Sequence, residues 1–371
     1  MNLVINALQY KSESSGIGIL LRELFGRCAA AGETARVVLP ADSPPFPGAA
    51  RAKTITAPCA YGEGLKRIAF QSCVMGPRYC KDAVLLTTDS KVPLLLPKSC
   101  RVVSLVTDLA LFRMPEVYQA SRVLLWKRQY RYLRRRGDLF LAISEFTKRE
   151  MAELLDIPES RIHVVPCAAP TGYCRVTDTR RLAALREKYH LQERFVLFVG
   201  NFNPRKNLER LIAAFDRMKR ESGLPHELVI AGGQGWKFDR DAALAGIASK
   251  AAVRFIGYIP DADMPALYSA AELFAFPTLY EGFGIPVVEA QKCGTPVLAS
   301  NVSALPEVGG AGAVYVDPRD EKAIADSLRK LLTEGALRRE LRERGYANAG
   351  RFSWEGSAQK LREIIEGRYG T

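Results

Sequence analysis

Long hydrophobic runs are missing from this 371-residue chain. No stretch reaches about 18 apolar residues, the length that marks a membrane-spanning helix, and the opening MNLVINALQYK is too short for the apolar core of a secretory signal. These absences lead us to expect a soluble, non-secreted, cytoplasmic protein. Paired-cysteine motifs are missing as well. The eight cysteines include no C-x-x-C pair, and several fall inside apolar runs. They read as small buried hydrophobes in a reducing compartment, not as a disulfide or zinc framework. Histidine is scarce: His163, His190 and His226 stand apart without ligand spacing, so structural or surface roles are expected, with no metal. There is no short repeat and no low-complexity tract.

What is present is ordinary in amount and uneven in distribution. Hydrophobic residues make up 48% and charged residues 25%, which is globular composition, and the length suits two α/β domains better than one core. The net charge is +13, and residues 1–170 carry most of it, with 24 Lys/Arg against 15 Asp/Glu. A basic half calls for an anionic partner: nucleic acid, a phosphate-bearing substrate or an acidic membrane face.

Short β-branched runs alternate with amphipathic segments. The strand candidates are 3–8, 35–40, 83–88, 101–107, 139–144 and 162–166 in the first half, with helical patterns clearest at 17–31 and 115–136. In the second half they are 194–200, 227–233, 253–258, 272–277, 296–300 and 313–317. Apolar strands followed by helices indicate parallel sheets covered on both faces. The pattern divides into 1–170, a linker at 171–192 without strand character, 193–350, and a closing segment 351–371.

In open parallel sheets ligands bind beyond the carboxyl ends of the strands, and two such domains facing each other would enclose a cleft. After RFVLFVG, which ends at Gly200, comes a loop with Arg205 and Lys206, then the periodic helix LERLIAAFDRMKR. A helix N-terminus favours an anion, and the two cations add a planar fork and a point charge. A diphosphate fits there; two solvated loop charges are the plainer alternative. After ELFAFP comes TLYEGFGIPVVEAQKCGTP, with Glu281 ahead of Gly282-Phe283-Gly284, Pro286 suited to a first helical turn, and Glu289 expected inside that turn. The macrodipole would favour Glu289 there even without function. The glycines can present backbone N–H groups at close range. Two carboxylates flanking N–H groups and two cations would grip a molecule with both hydroxyls and phosphates, such as a sugar nucleotide.

The Glu281–Glu289 spacing resembles the Glu-x7-Glu signature of retaining glycosyltransferases of family 4, which have the GT-B fold: two Rossmann-like, doubly wound α/β domains facing a cleft. The resemblance extends through VGNFNPRKNLERLIAAF, LVIAGGQGW, FIGYIPDADMPALYSAAELFAFPTLYEGFGIPVVEA, GTPVLASNVSALPEV and FSWEGSAQKL, and to LAISEFTKREM in the first half. It implies that Arg205 and Lys206 bind the donor diphosphate and that Glu281 meets hydroxyls of the donor sugar. It places the Gly282, Phe283 and Gly284 backbone on sugar and phosphate, and gives Glu289 the ribose hydroxyls. Tyr258 and Ile259, with Gly233, would surround the base, and Gly200 would border the donor. Ser15-Gly16-Ile17-Gly18 matches a glycine loop that approaches the phosphates, which makes Gly16 and Gly18 donor-binding candidates. Asp108 joins Glu281, Arg205 and Lys206 as a catalytic candidate. The donor is a substrate, so no cofactor is expected. The acceptor implied is a glycan or a lipid-diphosphate-linked glycan in surface polysaccharide assembly, and the segment from Phe352 is expected to cross back onto the N-terminal domain.

The sequence also departs from that family. Thr107-Asp108 stands where His-Asp is usual, and Ile19-Leu20 where Arg-Tyr often follows the glycine loop. An altered donor contact is the expectation at Thr107; a non-catalytic GT-B subunit and a synthase of a small soluble glycoside remain rivals. Asp261-Ala262-Asp263 looks like a metal motif but precedes a helix with Pro265 in its first turn, so helix capping is expected. The run 127–136 (KRQYRYLRRR) offers a basic helix, with Trp126, Tyr130 and Leu133 for packing; it is either a solvated face or an attachment to anionic lipid. No nucleic-acid-binding module or aromatic platform accompanies the charge, so nucleic acid ranks last as a partner.

Overall fold

The structure, a computed structural model, describes residues 2–11, 16–31, 35–47, 51–233 and 235–369. Ser15 lies outside the described residues. The chain forms two compact units, Met1–Pro170 with Ser353–Thr371 (unit 1) and Thr171–Phe352 (unit 2).

Unit 1 contains β1 (Leu3–Asn6), β2 (Arg36–Leu39), β3 (Lys53–Thr56), β4 (Val84–Thr88), β5 (Arg101–Val106), β6 (Leu139–Ala142) and β7 (Ile162–Val164). All pair in parallel, in the order β3-β2-β1-β4-β5-β6-β7. The inner strands are apolar runs because both faces are covered: every residue of β1, β4 and β6 is buried. β3, the edge strand KTIT, is largely exposed, and its polar composition hid it from the sequence reading. Helical runs cover the sheet at 16–31 and 64–79, each with a π-helical stretch inside it (Leu21–Phe25 and Phe70–Met75). The pattern at 115–136 resolves into a short 3-10 turn, Pro115–Val117, and the helix Ala120–Arg136. The closing helix Trp354–Tyr369 buries Trp354, Ala358, Leu361 and Ile365 in unit 1. It is held there by the Ser357 hydroxyl, which donates to the Pro166 carbonyl at 2.7 Å, and by an Arg27–Glu355 pair at 2.7 Å.

Unit 2 contains β8 (Phe195–Val199), β9 (Glu227–Ala231), β10 (Val253–Gly257), β11 (Leu273–Phe276), β12 (Val297–Ser300) and β13 (Ala313–Val316), again all parallel, in the order β10-β9-β8-β11-β12-β13. Residues 171–192 belong to this unit and include a helix, Thr179–Tyr189, capped by the Asp178 carboxylate. The helix Leu208–Ser222 buries Leu211, Ile212, Phe215 and Met218 at helical spacing. Each such side chain contributes about 1.5–3 kcal/mol of burial. Phe274 stacks on Phe276 at 5.4 Å and Phe198 lies 5.9 Å from Phe276, tying the β8 and β11 faces together.

Both sheets reverse direction next to their first strand. In unit 1 the chain winds outward from β1 through β2 and β3, then returns to β4 on the other side; in unit 2 β8 and β11 flank the same kind of switch. Right-handed crossovers leave by opposite faces on the two sides, so the loops after the two flanking strands diverge and leave a crevice.

Candidate active site

In unit 2 the crevice is lined by the loops after β8 and β11. Two glycines let the loop after β8 lie against the loop after β9. Gly232 has φ +140, and a Cβ on it would come within 2.0 Å of the Gly200 carbonyl oxygen. Beyond it, the Phe202 amide donates to the Gly233 carbonyl at 3.0 Å. Pro204–Lys206 forms one 3-10 turn, and Asn207 closes it in the left-handed region at φ 57. The Asn207 side-chain amide donates to the carbonyls of Pro277 (2.8 Å) and Pro318 (2.7 Å). The Leu279 amide in turn donates to the Arg205 carbonyl at 2.8 Å. Asn207 is therefore the tether that fixes the cationic turn to the loop after β11. Sequence reading passed over it, because an Asn ahead of a helix reads only as a cap.

The tether delivers Lys206 to Glu281, 75 residues later. Lys206 Nζ and Glu281 Oε1 are 2.7 Å apart, both residues are buried, and the ammonium also sits 4.7 Å from the Phe276 ring centroid. Burial would push the Glu281 carboxyl up, but the charges of Lys206 and Arg205 and the Lys206 hydrogen bond outweigh it and hold it below the usual carboxylate range. The Glu281 amide donates to Ser303 Oγ at 3.1 Å. Gly284 begins the next helix, Ile285–Lys292, with φ +99, and a Cβ there would come within 2.5 Å of Leu305 Cδ2, so conformation and space both require glycine. The Phe283 ring meets Phe352 edge-on at 5.4 Å.

Glu289 differs from expectation. The helix starts at Ile285 and has no acid in its first turn; Glu289 falls in the second, where the macrodipole gives little support. Its carboxyl is buried and accepts a 2.7 Å hydrogen bond from the Tyr268 hydroxyl. Burial and the nearby Asp261 charge outweigh that bond and push it up to about 7.

Around the rest of the sheet edge, Gly200 and Gly233 are half-buried at the ends of β8 and β9. Ile259 is buried at 4% exposure, whereas Tyr258 is 60% exposed. Asp263 stands at the N-cap of the helix Met264–Ala270. Asp263 makes no side-chain capping bond and instead accepts from Lys188 Nζ (2.7 Å) and the Tyr189 hydroxyl (2.6 Å). No group of three or more His, Cys, Asp or Glu side chains able to hold a metal occurs among the described residues. His226 is a structural residue, buried with Nε2 2.8 Å from Glu272.

Gly16, Gly18, Thr107 and Asp108 stand in unit 1. Gly16 opens the 16–31 run in an exposed position, Gly18 is buried within it, and Ile19 and Leu20 are core residues. Asp108 Oδ1 accepts the Ala110 amide at 3.1 Å. The Thr107 amide and hydroxyl both donate to Asp89 Oδ1, each at 2.8 Å. Asp89 follows β4 directly, with φ 48, and its carbonyl accepts from Ser104 Oγ at 2.6 Å. The other carboxylate oxygen, Oδ2, accepts no hydrogen bond among the described residues. Burial, with Asp108 adding repulsion, outweighs the Thr107 bonds and raises Asp89 to about 6. Asn6 at the end of β1 stitches this loop in place, donating to Thr87 Oγ1 (3.2 Å) and the Lys91 carbonyl (3.0 Å). Asp89 was missed in the sequence; its one signal was position, immediately after an apolar strand.

Two family models match the chain: Glycosyltransferase Family 4 over residues 14–172 and Glycosyl transferases group 1 over residues 184–348. The O-antigen chain mannosyltransferase B of Escherichia coli is 34% identical over 257 residues, covering 69% of this chain and 67% of that one. A serotype-specific mannosyltransferase of Escherichia coli is 35% identical over 228 residues, 60% of this chain but only 28% of that longer protein. Among solved structures, a sucrose-phosphate synthase from Thermosynechococcus elongatus superposes with TM-score 0.78 at 19% identity over 100% of this chain and 99% of its own. Anabaena HepE in complex with UDP-glucose gives 0.77 at 17% identity over 99% and 100%. At these identities the structures speak to the fold, and the fold is GT-B. The chain belongs to the group 1, family 4 glycosyltransferases.

Proposed function

We propose that this glycosyltransferase moves a hexose, with mannose the first candidate, from a nucleotide-sugar donor to a glycan or lipid-diphosphate-linked acceptor in surface polysaccharide assembly, with retention of anomeric configuration. The names of the two Escherichia coli relatives support the mannosyl and O-antigen reading. The observation that carries the site is the Arg205-Lys206 turn, tethered by Asn207 against the ionised Glu281 at the unit 2 switch point.

In this reading Arg205 and Lys206 receive the diphosphate, and Glu281 holds Lys206 in place while accepting hydroxyls of the sugar. The bond from the anomeric carbon to the diphosphate oxygen breaks as the acceptor hydroxyl attacks the same face, and the departing phosphate takes the acceptor's proton. Charge on the leaving group then needs cations more than the reaction needs a protein base. Removing one preorganised group at developing charge lowers turnover roughly a hundred- to a thousandfold. Glu289, buried beside Tyr268, offers an acceptor for ribose hydroxyls, and the exposed Tyr258 ring offers a face to the base. In unit 1, Thr107 stands where the family carries histidine and holds Asp89 through its amide and hydroxyl.

The test is transfer from a panel of GDP- and UDP-sugars with the anomeric configuration of the product read by NMR. An active wild type and an Arg205→Ala variant slowed by the factor above are expected. Full turnover in Arg205→Ala overturns the site assignment, and an inverted product overturns retention.

A further inference from the structure

Nine large hydrophobic side chains are exposed among the described residues, and seven of them lie in unit 1. Leu65, Ile68 and Val74 project from the helical run 64–79, with Leu65 86% exposed. Leu94 and Leu95 lie in the loop after β4, and Leu124 and Leu125 on the helix Ala120–Arg136. The three segments are joined. The Leu95 amide donates to the Ser72 carbonyl at 2.9 Å, and glycine at position 76 permits the approach, since a Cβ there would lie 1.8 Å from the Leu95 carbonyl oxygen. The Tyr132 hydroxyl donates to the carbonyls of Pro93 (3.0 Å) and Leu94 (2.9 Å). Leu125 precedes Tyr132 by two helical turns and shares its face; Ile68 precedes Ser72 by one. Scattered exposed leucines are ordinary, but neighbouring aliphatic pairs on three linked segments are not.

Charge on the same segments is of one sign. Residues 64–79, 94–98 and 120–136 contain eleven Lys or Arg and no Asp or Glu. Some of these cations are committed: Lys66 pairs with Glu63, Arg134 with Asp156, and Arg136 donates to the Pro97 carbonyl. Arg78, Lys98, Arg122, Arg128, Arg131 and Arg135 are exposed. Two of the three arginines at 134–136, the densest part of the basic run, are thus tied down, and the exposed cations alternate with the aliphatic side chains.

We propose that this face of unit 1 docks on an anionic bilayer, its aliphatic side chains entering the acyl boundary and its cations meeting the headgroups. A second copy of the chain would set like charge against like charge across a two-fold contact. A nucleic acid would leave the aliphatic side chains without a partner. The inference suits a lipid-linked acceptor but does not rest on glycosyl transfer, because binding is read without turnover.

The test uses the full chain in sedimentation with phosphatidylcholine vesicles, with and without phosphatidylglycerol. Wild type is expected to bind only the anionic vesicles. Leu124→Ser/Leu125→Ser and Leu65→Ser/Ile68→Ser should each lower partitioning at least roughly tenfold at any salt, whereas the Arg128→Glu/Arg131→Glu loss should appear mainly at low salt. All the replaced side chains are exposed, so thermal unfolding should stay near wild type. Wild-type partitioning by both aliphatic variants overturns the proposal, as does failure of wild type to bind anionic vesicles. A concentration-dependent dimer abolished by the leucine variants overturns it in favour of a second copy.

Discussion

The two switch points place a carboxylate at the same kind of position and treat it in opposite ways. In unit 2, Glu281 follows β11, is buried, and is paired with a lysine at 2.7 Å; its ionised form is favoured. In unit 1, Asp89 follows β4, is half-buried, and is held by the neutral amide and hydroxyl of Thr107; its ionised form is disfavoured. Topology supplies the position, and the neighbouring charge decides what the group does there. A cation nearby offsets the loss of hydration, while a neutral donor offsets only part of it. The same topological position therefore holds a carboxylate ionised beside cations in unit 2 and one whose proton is retained more readily in unit 1.

The largest way to break the contrast is Lys206→Ala. It leaves Glu281 buried without its ion-pair partner, and breaking such a pair costs about 3–5 kcal/mol, so urea denaturation should show a large loss of stability as well as lost turnover. Adding Glu281→Gln should return most of the stability and none of the activity. Next is the pH dependence of stability. Glu289 binds its proton more tightly folded than unfolded, so folding is disfavoured as pH rises from the ordinary 4.5 to about 7, by up to about 3 kcal/mol above that range at 1.36 kcal/mol per unit. Glu289→Gln should remove that slope. Glu281 has the opposite sign: its stabilisation is present above the ordinary carboxylate pKa and is lost as pH falls through the depressed value, so Glu281→Gln should lose stability at neutral pH. The smallest effect belongs to Thr107→Val, which deletes one of two bonds to Asp89. A loss of about 1 kcal/mol in urea denaturation and a further rise of the Asp89 pKa are expected.

Much of this was legible in the sequence. Twelve of the thirteen strands were visible because strands buried on both faces are continuous apolar runs; the exposed edge strand Lys53–Thr56 lacked that signal. Arg205, Lys206, Glu281 and Glu289 stand out in the sequence, and the fold brings Lys206 and Glu281 together. What could not be read was who touches whom. The sequence assigns Lys206 and Glu281 to different parts of a ligand, yet in the fold they meet each other. Glu289 was placed one turn too early, since the helix start depends on the backbone of Gly284. Asp263 was read locally as a cap and is used at long range by Lys188 and Tyr189. The 127–136 run reads in the sequence as a basic helix with Trp126, Tyr130 and Leu133 for packing; the leucines at 65, 94, 95, 124 and 125 do not join it there, because leucine defaults to the core in any sequence reading.

Diphosphate binding at the unit 2 switch point, as proposed, is open to a direct test. Calorimetric titration of GDP and UDP into wild type and Arg205→Ala measures it without an acceptor or a turnover assay. One of the two nucleotides should bind wild type, and Arg205→Ala should bind it at least roughly tenfold more weakly, since hydrogen bonds to charged groups contribute about 1.5–3 kcal/mol. Equal affinity in the two proteins would contradict the account.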